Sequence, residues 1–261
     1  MKVILSRKGF DTSNGGLPSP IIPDGTLLSL PIPSLYGSPS SEMYHNGIDY
    51  AHILSSLGYR GHMLTGHLDP DIRPNVLSSI IKSWKPLFGQ VSSSQGVLRN
   101  RNVGIGDLFL FFGCFQEVDS MYQYQPNALP KHIVFGYFEI GDVIIDPSII
   151  KEYSWHPHAE MTGLANNTIY IAADRLSLNP DLPGAGVLDY RKDRVLTKEN
   201  HKWYIWDETK FPFLMQEHLC KSTRKYNASD GGIMIADKTG QEFVYNESDE
   251  LNNWAQHLIN A

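Results

Sequence analysis

Cysteine is scarce in this chain. Cys114 and Cys220 are the two among 261 residues, far apart and outside any Cys-x-x-Cys pair. That argues against a disulfide framework and a thiolate zinc site, and for two reduced thiols. Positive charge is also short. Against 28 Asp and Glu stand 22 Lys and Arg, a formal net charge of −6. Coating duplex phosphates takes many Lys and Arg contacts, so the balance argues against that mode of binding, while a local basic pocket for one nucleotide stays open. No apolar run approaches the roughly 20 residues that span a bilayer. The apolar start, Met1 to Leu5, is too short for a secretory signal and is followed rather than preceded by Arg7-Lys8. A cytoplasmic protein is expected, which leaves little meaning in the Asn-x-Ser/Thr matches at Asn166, Asn227 and Asn246. The chain has no Gly-x-Ser-x-Gly nucleophile elbow and no Walker spacing. Gly104-Ile-Gly106 and Gly184-Ala-Gly186 lack the third glycine of a dinucleotide fingerprint. Internal repeats and low-complexity segments are absent too.

What is there describes an ordinary globule, 41% hydrophobic, 19% charged and 11% aromatic. Strand signals fill the middle. Leu108 to Phe115 is almost wholly apolar, as suits a strand covered on both faces. His132–Phe138 and Asp142–Ile145 are rich in β-branched and aromatic residues, with Gly141 between them as a bend or bulge. Thr168–Ala172 reads as a shorter strand. Ile233–Ile235 and Glu242–Tyr245 flank Asp237-Lys-Thr-Gly240, which has hairpin-turn chemistry. Helices are expected near both ends. Ile48, Ala51, Leu54 and Leu57 recur at helical spacing before Gly58. Leu77, Ile80, Ile81 and Trp84 follow Pro74 and precede Pro86. Ser248 caps a third helix with Leu251, Trp254, Ala255 and Leu258 on its buried stripe. Ser92 to Gly96 reads as a flexible loop. These signals predict an α+β fold, a mainly antiparallel or mixed sheet with flanking helices, and a small barrel-like core as the alternative.

The densest chemistry opens the chain. After the short strand Lys2–Leu5 comes Ser6-Arg-Lys-Gly-Phe-Asp11, then Gly15-Gly16 and Pro18-Ser-Pro-Ile-Ile-Pro-Asp-Gly25. Arg7 and Lys8 are the phosphate-binding candidates, since a strand end running into a glycine-rich loop presents cations and backbone N–H groups together. Asp11 and Asp24 would bind a ribose hydroxyl, or hold Arg7 in a bidentate pair. Arg175, beyond the Thr168–Ala172 strand, is a further nucleotide-binding candidate at a strand end. His67-Leu-Asp69-Pro-Asp71 is the sharpest motif. Alternate side chains of an extended segment share a face, so His67, Asp69 and Asp71 suit a divalent metal or an acid/base group. Otherwise the aspartates cap the helix expected after Pro74. His156-Pro-His158 has the same spacing, with proline holding the backbone extended. Its imidazoles would complete a metal site with His67 or hold an anion, with Trp155 stacking on a base, unless the motif is an exposed turn. Cys114, in an apolar strand, is a poor nucleophile. The run Tyr190-Arg-Lys-Asp-Arg194 with Trp203, Tyr204 and Trp206 offers a secondary route to single-stranded nucleic acid.

The opening block, with Leu30-Pro-Ile-Pro33, His67-Leu-Asp-Pro-Asp71, Gly106-Asp-Leu-Phe-Leu-Phe-Phe-Gly113 and His156-Pro-His158, resembles the "nucleotide modification associated domain, type 3" family. These are bacterial and phage proteins linked by computation to systems that make hypermodified nucleic-acid bases. The resemblance implies one such domain over residues 1–261, acting on a nucleotide or modified base, with nucleotide or modified nucleic acid as the partner. It implies a context more than a reaction. Catalysis by His67, Asp69, Asp71, His156 and His158 is one outcome; a non-catalytic reader or a structural partner in the same system is the other. The resemblance leaves the cofactor unknown, and the residues leave the metal open.

Overall fold

The computed structural model describes residues 1–11, 13–62, 64–79, 81–82, 84–210, 232–234 and 242–260. In chain order its elements are β1 (Val3–Arg7), β2 (Ser19–Ile21), β3 (Ile32–Pro39), β4 (Tyr44–His45), β5 (Ile48–Asp49), α1 (Tyr50–Ser56), β6 (Thr65–His67), β7 (Leu87–Gln90) and α2 (Ser92–Asn100). There follow β8 (Leu108–Glu117), β9 (Lys131–Ile144), α3 (Pro147–Ile150), β10 (Thr168–Ala172), β11 (Ala185–Val187), β12 (Ile205–Asp207), β13 (Gly232–Met234), β14 (Glu242–Tyr245) and α4 (Asp249–Ile259).

The fold is α+β. An eight-stranded mixed sheet runs β14-β1-β8-β9-β10-β7, with β11 beside β9 and β2 beside β8. It does not close, which sets aside the barrel alternative. The apolar run of β8 has the cause its sequence implies. Leu108, Leu110 and Phe112 face one core with Val3, Leu5 and the α4 residues Leu251, Ala255 and Leu258. Phe109, Phe111 and Phe115 face the other with Ile4, Phe88, Leu98 and Tyr170. Because side chains alternate across the pleat, a strand buried on both faces must be apolar at every position. β9 is continuous through Gly141. There the partner strand steps from Ile171 opposite Asp142 to Ala172 opposite Ile140, a bulge at the glycine.

α1 begins where Asp49 accepts the His52 N–H at 2.8 Å, and its Ile53 and Leu54 join Phe10, Leu28, Leu30 and Met43 in a separate cluster. α4 is capped by Ser248, as the sequence implies. Two helical readings need correction. The described residues after Pro74 form turns, not a helix. Asp71 pairs with Leu87 and Leu77 with Met43, so strand-type bridges hold this segment, and Ser78 and Ser79 do little to favour a helix against them. Ser92–Gly96, read as a loop, opens α2. Burial of Gln95 and Leu98 outweighs the weak propensity of three serines and a glycine. The turn at 237–240, with Ile80, Cys220, Asn227 and Ile235, lies outside the described residues. The strands on either side of that turn pair elsewhere, β13 with β12 and β14 with β1. Among the described residues no helix is long and apolar enough to cross a membrane.

Candidate functional site

β1 lies parallel to β8, and its carboxyl end delivers Arg7, Lys8 and Gly9 to a cleft of about 280 Å³. Gly9 takes φ +82°, and a Cβ there would stand 2.5 Å from the Ser29 hydroxyl. The opposite wall comes from the two-stranded β3–β6 sheet, where Ile32 pairs with His67. Gln90 at the end of β7 and His158 from a 3₁₀ turn complete the enclosure. Arg7, Lys8, Asp11, His67, Asp69 and His158, from three sequence-distant segments, therefore share one cavity.

The cations arrive already paired. Arg7 is 5% exposed and contacts Asp11 at 2.6 Å, with its guanidinium 5.5 Å from the Trp203 ring. Asp11 also accepts the Ser13 and Asn14 N–H groups at 2.6 and 2.7 Å, so it braces the loop as well as the arginine. Lys8 lies 3.6 Å from Glu242 and 4.5 Å from the Phe88 ring centre. Glu242 in turn accepts from Ser6 and Gln90. Burial pushes its carboxyl above the usual range, against the pull of Lys8.

Asp69 is the hub of the histidine side. Its Oδ1 accepts the Gly89 N–H at 2.7 Å and lies 3.4 Å from His156 Nε2, while its Oδ2 is 3.9 Å from His67 Nε2. Burial pushes its pKa up, but the close approach of His156 and the fields of His158 and Lys8 outweigh it and hold the carboxyl below the usual carboxylate range. His158 is fixed by a buried amide. Its Nδ1 lies 2.7 Å from Asn167 Oδ1, and Asn167 Nδ2 donates to the His158 carbonyl at 2.9 Å. Taking that contact as a hydrogen bond makes Nδ1 the protonated nitrogen and leaves Nε2 with its lone pair. The ring lies against β7 because residue 89 is glycine: a Cβ there would be 2.3 Å from the imidazole. Burial, opposed by Asp69, pushes His67 down to about 4 and His158 down to about 3. Both rings are neutral at pH 7, the state in which imidazole binds metals. Donor atoms of His67, Asp69 and His158 lie within 4.8 Å of one another.

Three sequence expectations change here. Asp71 does not share the face of His67 and Asp69. Its backbone pairs with Leu87 and its Oδ2 accepts the Trp84 indole N–H at 2.8 Å, so the carboxyl turns into a neighbouring cavity. Burial pushes that carboxyl up to about 6. His156-Pro-His158 is neither extended nor exposed. Pro157 starts a 3₁₀ turn, His156 caps it, and the two rings are 1% and 2% exposed. Trp155 packs against Tyr153 beside Ile150 and Ile169, away from the cleft.

Asp24 is exposed, and its Oδ1 accepts the Thr26 N–H at 2.9 Å; Arg175 is exposed and donates to the Asp181 carbonyl at 3.3 Å. Neither lines the cleft. Burial pushes the Cys114 thiol up to about 12, in line with an inert core cysteine. The basic run near 190 is structural, since Arg194 donates to the Leu258 and Asp189 carbonyls and Trp206 is core. Asn167, Gln90 and Glu242 carry no motif. Asn167 falls inside a glycosylation-type triplet, and its buried position before β10 is a tertiary fact. A wider cavity of about 510 Å³ is lined by Lys131, Lys192, Lys198 and Lys210. It is not the better candidate, because Lys131 is paired with Glu117 and, among the described residues, the group of His, Cys, Asp or Glu able to hold a metal lies in the other cleft.

Compared with known families, the chain matches the model described as nucleotide modification associated domain 3 over residues 2–246. No curated protein and no solved structure matches it significantly.

Proposed function

We infer a function from two premises: the chain belongs to the nucleotide modification associated domain 3 family, and its N-terminal loop and both histidine motifs meet in one cleft. It acts on a nucleotide or modified base within a nucleotide-modification system. The convergence of Arg7, Lys8, His67, Asp69 and His158 carries the reading. At about 280 Å³ the cleft is at the small end of ligand pockets, the scale of one nucleotide unit rather than a duplex. Lys8 and the braced Arg7 meet the phosphate. His67, Asp69 and His158 face the group to be changed, as proton-transfer groups or metal ligands, with His156 buried behind Asp69.

Catalysis is favoured over reading. A reader of flipped bases relies on aromatic stacking and needs no shifted titration. Among the described lining residues none is Phe, Tyr or Trp, whereas His67 and His158 are strongly perturbed, as at sites of chemistry. Calorimetric titration of nucleoside monophosphates, with and without modified bases, tests this. Wild-type protein is expected to bind one nucleotide, and Lys8→Ala to weaken it by about tenfold, in the range of one charge-assisted contact. In a turnover assay of the nucleotide bound, His67→Ala and Asp69→Ala should retain binding and lose product formation. Absence of nucleotide binding by the wild type, or unchanged affinity in Lys8→Ala, overturns the reading.

A further inference from the structure

We infer that His67, Asp69 and His158 form a binding site for one divalent transition-metal ion whose open coordination positions face the cleft. This rests on the reading above for its place in the molecule, but not for its proof.

The geometry favours a metal over a bare acid/base pair. An aspartate that orients a catalytic histidine bonds it directly, at about 2.6–3.2 Å. Asp69 Oδ2 and His67 Nε2 are 3.9 Å apart, outside that range. The other oxygen of Asp69 is engaged by the Gly89 N–H, and His158 is oriented by Asn167 instead of by a carboxylate. Three donor atoms thus lie within 4.8 Å of one another, with His158 held from behind by Asn167 and Asp69 by the Gly89 N–H. Bonds of about 2.0–2.2 Å to an ion need these atoms to close by about an ångström, which side-chain torsions supply.

The supporting contacts match a metal's outer shell. Ligating histidines donate their second nitrogen to a carbonyl or carboxylate, and ligating carboxylates are themselves hydrogen-bonded. Asn167 serves His158 in this way, and Gly89 N–H with His156 serves Asp69. The donor set selects the ion. Two imidazole nitrogens and one carboxylate oxygen suit Zn²⁺, Fe²⁺ or Mn²⁺, are poor for Ca²⁺, and leave positions for water or substrate. Charge points the same way. Arg7 stands against Asp11 and Lys8 near Glu242, so each cation of the cleft shares its charge with a carboxylate. A divalent ion on Asp69 would add positive charge for an anionic guest.

The test is titration of tag-free, chelator-stripped protein with Co²⁺ alone, followed by visible absorption, with Zn²⁺ as competitor. One equivalent should bind with ligand-field bands of low coordination number, displaced by one equivalent of Zn²⁺. His67→Ala should abolish the bands with its circular dichroism unchanged. Asn167→Ala should bind about 10–100-fold more weakly, as expected for loss of an outer-shell partner. His158→Ala should lose the bands as well; if it fails to fold, His67→Ala decides, because its side chain is the less buried of the two. Wild-type protein that takes up no stoichiometric Co²⁺, or a folded His67→Ala that binds it as well, overturns the metal site. Nucleotide binding by such metal-free protein would leave the proposed function standing.

Discussion

At the scale of single residues, this molecule places polar groups where burial must be answered by a partner. Asp69 meets that demand with a backbone N–H and His156, Arg7 with Asp11, and His158 with Asn167. His132 is a buried histidine outside the cleft. Its Nδ1 accepts the Trp206 indole N–H at 2.9 Å, and burial, helped by the charge of Arg7, drives its pKa well below the ordinary imidazole value. The sign follows from proton counting. Below about pH 6.5 the unfolded chain protonates this ring and the folded chain does not, so the unfolded state binds more protons and stability falls as pH falls. The slope contributed by one such group reaches about 1.4 kcal/mol per pH unit. His132→Gln should therefore lose less stability than the wild type between about pH 7 and pH 5 in urea melts. Equal losses in the two proteins would show that His132 does not titrate in this way.

At the scale of elements, the cleft depends on where strands stop. β1 ends at Arg7 and hands Lys8 to a backbone bond with Phe112, which fixes both cations at the carboxyl end of a parallel pair. β6 is three residues long, and its last residue is His67. α4 closes the far face of β1 with an apolar stripe, and its first turn is held where Ser248 Oγ accepts the Leu251 N–H at 3.2 Å. Ser248→Ala should cost about 1 kcal/mol of stability by chemical denaturation, with the cleft unaffected, because an N-cap replaced by alanine loses that bond. A cost under a few tenths of a kcal/mol would mean that packing alone holds α4. The element that sequence periodicity misplaced, the stretch after Pro74, shows the competing force. Its apolar residues have helical spacing, but strand-type bridges to Met43 and Leu87 hold it in the folded protein.

At the scale of the whole molecule, an eight-stranded sheet buried on both faces carries a cleft of one-nucleotide size on a chain of net charge −6. Such a surface lacks the cations that release counterions from a duplex. In a mobility-shift assay near about 0.15 M salt, unmodified duplex DNA should stay free at protein concentrations that saturate with a nucleoside monophosphate. Retention of duplex under those conditions would place the nucleic-acid surface outside this cleft.

Local sequence carries the double-sided core strand, the bend or bulge at Gly141, the N-cap of α4, and the Arg7-Lys8, His67-Leu-Asp69 and His156-Pro-His158 motifs of the site. Those depend on local periodicity, turn chemistry and side-chain identity, which a linear chain displays. It did not determine that Asp69 joins His67 while Asp71, two residues on, turns to Trp84. Nor did it show that His156-Pro-His158 is a buried turn, or that Asn167 and Gly89 shape the seat of His158. Contacts between residues 67, 89, 158 and 167 depend on which strands lie side by side, and only the packed sheet brings a histidine ring against a position that has no Cβ to exclude it.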